Sequence, residues 1–284
     1  MGELSSPRAE PALFYSEGEI DALLRDTHEP IPAALLENPR FNEVHLCRLL
    51  ERAEMSAALL ERIAGHKDWL HSRGVQCGLV AHPRTPRHIA MKAARDLHAG
   101  DLSAISLRPT TPPEVRRFAE GLLIARLPQL PLGQKLALAR RGTGRLAGSL
   151  LAEGHASLAA AALENARLTE SQVLRALSEA TLAEAAINAI ANNAKWPRLP
   201  NVRLALAKHP RSPIREVQRL LRELTHGELD ALHAVPSLRA EVRAAAREEI
   251  TRRAAISAAR GGAAAAITNA TLKSRQAHCY SHPR

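Results

Sequence analysis

The chain has 284 residues, of which 45% are hydrophobic and 24% are charged, and its formal net charge is +10. It contains 53 Ala and 42 Leu but only seven aromatic residues. Ala and Leu favour helices, whereas strands favour β-branched and aromatic residues. The composition therefore predicts an all-α protein and argues against a β-sandwich or a Rossmann-type sheet. We expect no transmembrane helix, because no apolar run approaches the length of about 18 residues that one needs.

The termini and the cysteines indicate where the protein works. Residues 1–15 lack a basic segment followed by an apolar core, so we expect no secretory signal. Cys47, Cys77 and Cys279 are scattered and odd in number, which fits unpaired thiols in a reducing compartment. We therefore predict a cytoplasmic protein with a disordered N-terminus over 1–15 and a basic, disordered tail over 270–284.

Capping signals mark several helix starts along the chain. Ser16 and Thr169 are each followed three residues later by Glu or Gln, which predicts a capping box. A third capping box is predicted at Thr111. Thr85 and Ser212 each precede a proline, which predicts a hydroxyl cap with proline at the first helical position.

Glycines mark other boundaries. Gly100 and Gly227 occupy equivalent places where we expect left-handed helix ends. The sequence over 142–147 (GTGRLA) matches a dinucleotide-binding fingerprint, but that motif needs a preceding strand and an acidic residue about 20 positions later. Because a helical segment precedes it here, we interpret residues 142–144 as a turn between helices.

The strongest pattern is an internal repeat. Trp69 and Trp196 lie 127 residues apart, and the same shift superposes residues 74–86 on 201–213. Aligning 26–127 with 153–254 without gaps gives 32 identities in 102 positions. We predict a duplication with a first half over 16–152 and a second half over 153–269. Each half repeats a smaller unit of helix, turn and longer helix, with turn anchors at Asn38, His82, Pro109, Asn165, His209 and Pro236.

These units resemble bacterial HEAT-like and leucine-rich-repeat-variant α-solenoid proteins over about residues 30–254. The resemblance depends on the His-Pro-Arg turns at 82–84 and 209–211 and on the later Val-Arg pairs at 115–116 and 242–243. It implies a HEAT/armadillo-like right-handed superhelical solenoid. The leucine-rich-repeat-variant family can carry an iron–sulphur cluster, but this sequence has no cysteine cluster. We expect no cofactor and no metal.

Two features of the sequence suggest chemistry but have a simpler structural explanation. His82 and His209 could act as ligands or bases, yet a histidine that ends a helix is stabilised by the helix dipole. Trp69 and Trp196 could face a DNA lesion, as in some solenoid DNA glycosylases, yet they could equally anchor a turn in the core. We favour the structural explanation for both pairs.

Basic side chains give the binding candidates. Residues 116–152 carry seven basic and one acidic side chain, and residues 251–284 carry six basic and none acidic. Such segments bind phosphates or acidic partners, or they simply keep a surface solvated. The candidate basic patch comprises Arg116, Arg117, Arg126, Lys135, Arg140, Arg141, Arg145, Arg252 and Arg253, and an edge ladder of arginines after the turn anchors comprises Arg40, Arg84, Arg167 and Arg211.

Three functions remain open from the sequence. The leading hypothesis is a non-catalytic scaffold for protein–protein interaction, because a strong repeat signal stands beside no complete catalytic constellation. The alternative is binding of duplex DNA or structured RNA through the basic segments. A minor alternative is a HEAT-fold enzyme that resembles a DNA glycosylase.

Overall fold

A computed structural model describes residues 14–25, 33–236 and 238–258. Over these ranges the chain forms α-helices and short 3-10 turns with no strand, which confirms the all-α prediction. The segments predicted to be disordered lie outside the described residues, apart from Phe14 and Tyr15. The chain divides into two compact units, with the division between Leu146 and Ala147.

The first unit is a succession of short helices. Its 3-10 turns cover Ala33–Glu37, Trp69–His71 and Leu127–Gln129. Its α-helices are α1 (Glu17–Arg25), α2 (Glu43–Leu49), α3 (Ala57–Gly65), α4 (Arg73–Ala81), α5 (Arg87–Ala94), α6 (Ala99–Leu107), α7 (Pro113–Arg126) and α8 (Leu132–Arg141), and α9 (Gly144–Ala152) begins in this unit and ends in the next.

The second unit has the same kind of organisation, with a 3-10 turn at Trp196–Arg198. Its α-helices are α10 (Ala156–Leu163), α11 (Glu170–Ser178), α12 (Glu184–Ala191), α13 (Pro200–Lys208), α14 (Ile214–Leu221), α15 (His226–His233) and α16, which covers 240–258.

Element bounds recur at the spacing of the sequence repeat. Adding 127 to the bounds of α4 gives those of α13, and adding 127 to the bounds of α5 gives those of α14. The 3-10 turn at Trp69–His71 likewise corresponds to the turn at Trp196–Arg198. Stretches that correspond under the 127-residue shift thus adopt the same local structure.

Leucine and alanine fill the core, as the composition predicts. In α14 the buried residues are Val217, Leu220 and Leu221, which lie three and four positions apart and so share one helix face. In α3 the buried residues are Leu60 and Ile63 together with Leu59. Buried Ala residues between such rows let short helices approach each other closely.

The capping predictions divide into two groups. Glu19 accepts a hydrogen bond from the Ser16 N–H at 2.7 Å, and Gln172 accepts one from the Thr169 N–H at 2.9 Å, which confirms both capping boxes. The predictions at Thr85, Thr111 and Ser212 were wrong. In each case the following proline occupies the N-cap, so the hydroxyl lies one residue too early to cap.

Two of these displaced hydroxyls donate to main-chain carbonyls instead, whereas Thr85 Oγ1 is buried without a hydrogen-bond partner among the described residues. Thr111 Oγ1 donates to Ala81 O at 3.2 Å, and Ser212 Oγ donates to Leu206 O at 2.5 Å. These two hydroxyls therefore tie a turn to an earlier helix, α4 for Thr111 and α13 for Ser212, rather than starting the next one.

Of the predictions based on glycine, those at Gly100 and Gly227 are wrong, whereas the turn that begins at Gly142 is present. Gly100 and Gly227 are not left-handed helix ends, because each lies in the first turn of a helix, α6 or α15. Among the described residues only Gly154 has a positive φ, at 80°. Gly142 and Thr143 form the turn between α8 and α9, and Gly144, the third residue of the predicted turn, is the first residue of α9.

Candidate functional site

The turn anchors and the ladder arginines form one recurring motif. At the four turns whose anchor is Asn or His, the anchor side chain accepts a hydrogen bond from the main-chain N–H of the arginine two residues later. The bonds are Arg40 N to Asn38 Oδ1 at 2.8 Å, Arg84 N to His82 Nδ1 at 3.1 Å, Arg167 N to Asn165 Oδ1 at 2.8 Å and Arg211 N to His209 Nδ1 at 3.1 Å. Asparagine side chains in turns commonly accept a hydrogen bond from the main chain two residues later. Histidine Nδ1 takes the place of the amide oxygen, a role that the alternation of Asn and His at the anchors could have suggested.

Both ring nitrogens of the anchor histidines are engaged. His82 and His209 are each 3% exposed and follow the last residues of α4 and α13. His82 Nε2 lies 2.8 Å from Arg52 O, and His209 Nε2 lies 3.1 Å from Glu179 O. Since Nδ1 accepts from an N–H, Nε2 carries the proton and donates to the carbonyl. The histidines therefore join consecutive turns and present no nitrogen to a metal or a substrate.

This geometry makes stability depend on pH through His82. Burial lowers the pKa of His82 below its ordinary value of 6.5, and the charge of Arg84 lowers it further, against a smaller opposing effect of the bond to Arg52. The unfolded chain then binds the proton more readily than the folded chain. The contribution is complete above pH 6.5 and is lost as the pH falls through the lowered pKa.

A His82→Asn variant tests this dependence, because asparagine fills the same role at positions 38 and 165 without titrating. We expect the wild-type melting temperature to fall more than that of the variant between about pH 7.5 and pH 5.5. Thermal melts followed by circular dichroism measure it. Equal losses in the two proteins would contradict the assignment of the neutral ring.

The ladder side chains are exposed, and those of Arg84 and Arg211 contact a neighbouring turn. Arg84 pairs with Glu54, and Arg211 donates to Thr181 O at 3.1 Å. Positions 54 and 181 are again 127 residues apart. The side chains of Arg40 and Arg167 are exposed as well. The ladder thus lies on the surface and also links adjacent turns.

Several members of the candidate basic patch serve within the fold. Arg126 donates to Leu97 O at 2.6 Å and also to Arg95 O, the C-terminal carbonyls of a neighbouring segment. Arg116 is half-buried, and its Nε is buried without a partner among the described residues. Arg145 Nη1 lies 3.5 Å from Glu120 Oε2.

The two arginines of α16 converge on one carboxylate. Glu249 lies 2.6 Å from Arg252 and 2.7 Å from Arg253, and its side chain is 8% exposed. The hydrogen bond from Arg252 is the main reason that the pKa of Glu249 falls to about 2, and Arg253 adds to it against the cost of burial. Arg253 also donates to Leu224 O at 2.6 Å and Arg222 O at 2.8 Å.

The remaining patch residues are on the surface of α7 and α8. Arg117, Arg140 and Arg141 are exposed, and Lys135 is partly exposed. The exposed part of the candidate patch therefore comprises Arg117 on α7 and Arg140, Arg141 and Arg145 around the end of α8, whereas Arg126 and Arg253 donate to the carbonyls at helix ends. Residues 259–284, which hold the other basic side chains of the C-terminal segment, lie outside the described residues.

The tryptophans have different environments. Trp196 is 1% exposed, and Lys195 Nζ lies 4.2 Å from its ring centroid. Trp69 is partly buried and packs edge-on against Phe41, with ring centroids 6.0 Å apart. Both contacts fit the anchoring interpretation, and the buried ring of Trp196 has no face for a DNA base.

The thiols are poorly suited to nucleophilic chemistry. Burial raises the pKa of Cys77 to about 11, and the nearby Asp101 raises it further. Burial also raises the pKa of Cys47. Because the thiolate is the reactive form, both cysteines are expected to be inert near neutral pH. Among the described residues no group of three or more His, Cys, Asp or Glu is arranged to hold a metal.

An open cavity of about 630 Å³ lies in the first unit. It is bounded by the end of α3, the 3-10 turn at Trp69–His71 and parts of α4 and α5. Its apolar surface comes from residues such as Leu70 and Ile89, and its charged groups are of both signs. The lining residues are Glu61, Ala64, Gly65, Lys67, Leu70, His71, Gln76, His88, Ile89, Lys92, Ala93 and Asp96.

Comparison with protein-family models, with curated proteins and with solved structures gives no match for this chain. Within the described ranges, no helix combines the length and the apolar character needed to cross a membrane.

Proposed function

We propose that this chain is a non-catalytic α-solenoid scaffold that binds a protein partner. The observation that carries the proposal is the open cavity beside the 3-10 turn at Trp69–His71. It combines an apolar surface with charged groups of both signs, which is the composition of a pocket that receives an anchoring side chain from another protein. The cavity is formed by helix ends and the turns between them, and all of its lining residues lie within the first unit.

The repeated hydrogen bonds support a HEAT-like solenoid that arose by duplication. Arg126 donates to the carbonyls of residues 95 and 97, and Arg253 donates to those of residues 222 and 224. The donors and the acceptors of the two sets are therefore each 127 residues apart. The histidine contacts with residues 52 and 179 follow the same rule. Repeats stacked on their neighbours need such links between consecutive units.

Affinity capture tests the proposal. The full chain, immobilised through a tag, is incubated with a lysate of cells that express it, with and without nuclease. A protein partner retained equally in both samples is the expected result. Recovery of proteins only from the untreated sample would mean that nucleic acid recruits them, and it would contradict direct protein binding.

Exposed arginines on α7 and α8 favour a second function, binding of duplex DNA or structured RNA. Arg117 on α7 and the adjacent Arg140 and Arg141 at the end of α8 are all exposed. Such binding depends on phosphate contacts, so its affinity falls steeply between about 50 and 200 mM salt.

A charge-reversal variant separates the two functions. Replacing Arg140, Arg141 and Arg145 together with glutamate changes the local charge by six units and is expected to abolish any polyanion binding without changing helicity. Fluorescence anisotropy with labelled duplex DNA and structured RNA measures binding, and circular dichroism measures helicity. Undiminished binding by the variant would rule out this surface, and the triple variant Arg87→Glu/Arg175→Glu/Arg215→Glu, at exposed positions outside the candidate patch and ladder, serves as a control for the same change of charge.

A further inference from the structure

The second unit contains a filled counterpart of the cavity. Arg203 stands 127 residues after Gln76, one of the residues that line the cavity. Its guanidinium donates to Pro197 O at 3.0 Å, to Arg198 O at 3.2 Å and to Glu223 O. The Arg203 side chain is only 12% exposed. The second unit thus contains a built guanidinium site with three main-chain acceptors.

The same three acceptors border the cavity of the first unit. Subtracting 127 from residues 197, 198 and 223 gives Leu70, His71 and Asp96, and all three line the cavity. The carboxylate near Arg203, that of Glu223 at 3.9 Å, has its counterpart in the side chain of Asp96. Because the local elements have the same bounds in both units, this set of acceptors is present in both.

The two units differ in the side chain that fills the space. Gln76 Nε2 donates to Leu70 O at 2.5 Å, and among the described residues no side chain donates to the carbonyls of His71 and Asp96. Glutamine is shorter than arginine and offers one amide group in place of a five-donor guanidinium. The first unit therefore keeps the acceptors but lacks the cation that meets them in the second unit.

The cations near the cavity do not prevent a guanidinium group from occupying it. Lys92 lines the cavity, and its counterpart is Arg219, which lies near Arg203 through their shared partner Glu223 at 3.9 Å from each. The first unit also adds one charge of each sign, since Glu61 corresponds to an asparagine at position 188 and Lys67 to an alanine at position 194. A guanidinium is therefore accommodated beside a cation in the filled site.

We propose that this cavity binds the guanidinium group of an arginine side chain presented by the protein partner. The proposal rests on the proposed scaffold function and names the chemistry that the scaffold recognises. The planar group meets the carbonyls of His71 and Asp96 and the carboxylates of Asp96 and Glu61, while its aliphatic stem packs on Leu70 and Ile89.

Binding of a small arginine probe tests the proposal without any partner. The full chain is titrated with N-acetyl-arginine amide while backbone amide chemical shifts are recorded. We expect saturable shifts around residues 67–76 and 88–96, with a dissociation constant of roughly 1 mM, as is usual for a ligand of this size. N-acetyl-lysine amide is expected to bind several-fold more weakly, because an ammonium group cannot reach several acceptors along one plane.

Two reciprocal substitutions sharpen the test. Gln76→Arg supplies the missing guanidinium from within the chain, so it is expected to raise the melting temperature and weaken probe binding at least tenfold. Arg203→Gln is expected to open a second site and raise the stoichiometry from one probe to two. If Arg203→Gln fails to fold, the effect of Gln76→Arg on probe binding still tests the guanidinium site.

Three results would overturn the proposal: no saturable shifts, unchanged probe binding by Gln76→Arg, or equal binding of the lysine and arginine probes. None of them bears on whether the chain captures a protein. If a partner is captured by wild type and by Gln76→Arg alike, the scaffold function stands and the guanidinium site fails.

Discussion

Replacing Trp196 with alanine is expected to lower the free energy of unfolding by about 3–5 kcal/mol. The ring is 1% exposed and fills the space between the 3-10 turn that it begins and the surrounding helices. Its removal takes apolar surface out of the core and leaves a cavity. The surrounding short helices cannot easily close that cavity, because hydrogen bonds between turns hold them in place. The indole Nε1 is buried without a hydrogen-bond partner among the described residues, so losing that polar group offsets part of the cost.

Trp69→Ala is the matched control, because Trp69 begins the corresponding 3-10 turn but is only partly buried. Its loss is expected to cost roughly half as much, in proportion to the smaller buried area. Urea unfolding followed by circular dichroism measures both. A Trp196→Ala variant that loses no more stability than Trp69→Ala would contradict the anchoring role assigned to Trp196.

Arg253→Met is expected to cost about 2–3 kcal/mol, because it removes a guanidinium that donates to several helix-end carbonyls. The acceptors are Leu221 O, Leu224 O and Arg222 O, and the substitution also takes one of two partners from Glu249. The Arg253 side chain is 27% exposed, so water replaces only some of the lost bonds.

Arg126→Met provides the comparison within the same protein. Arg126 donates to the corresponding carbonyls of Arg95 and Leu97, but position 122, the counterpart of Glu249, is a leucine. We therefore expect a smaller loss for Arg126→Met. Equal losses of stability in the two variants at neutral pH would show that Glu249 does not add to the effect of Arg253.

Glu249 also makes stability depend on pH. Because its pKa is lowered from 4.5 to about 2, the stabilising effect of Glu249 is complete above pH 4.5 and is lost as the pH falls towards 2.

The helical class and the turn positions could be predicted from the sequence, since Ala and Leu dominate, four of the six turns have Asn or His two residues before Arg, and the other two contain Pro. The caps at Thr85 and Thr111 could not be placed to the residue, because a proline can occupy the N-cap as well as the first helical position. Gly100 and Gly227 were assigned to helix ends because glycine usually marks them, yet both lie where a helix begins.

The destinations of the arginines depend on tertiary contacts. The sequence places Arg126 and Arg253 in basic segments, but only the packing shows that they reach carbonyls 29–32 residues earlier. The difference between Gln76 and Arg203 is visible when the halves are aligned. Its consequence, an open cavity in one unit and a filled one in the other, requires the positions of three main-chain carbonyls.

Cross-linking mass spectrometry of the captured complex tests the scaffold function most directly. Lys67 and Lys92 line the cavity, whereas Lys135, Lys195 and Lys208 do not, so the lysines report where the partner lies. We predict that, after nuclease treatment, a protein is cross-linked to Lys67 or Lys92 of the wild-type chain. If no protein is cross-linked once nucleic acid has been digested, the chain is not a protein-binding scaffold.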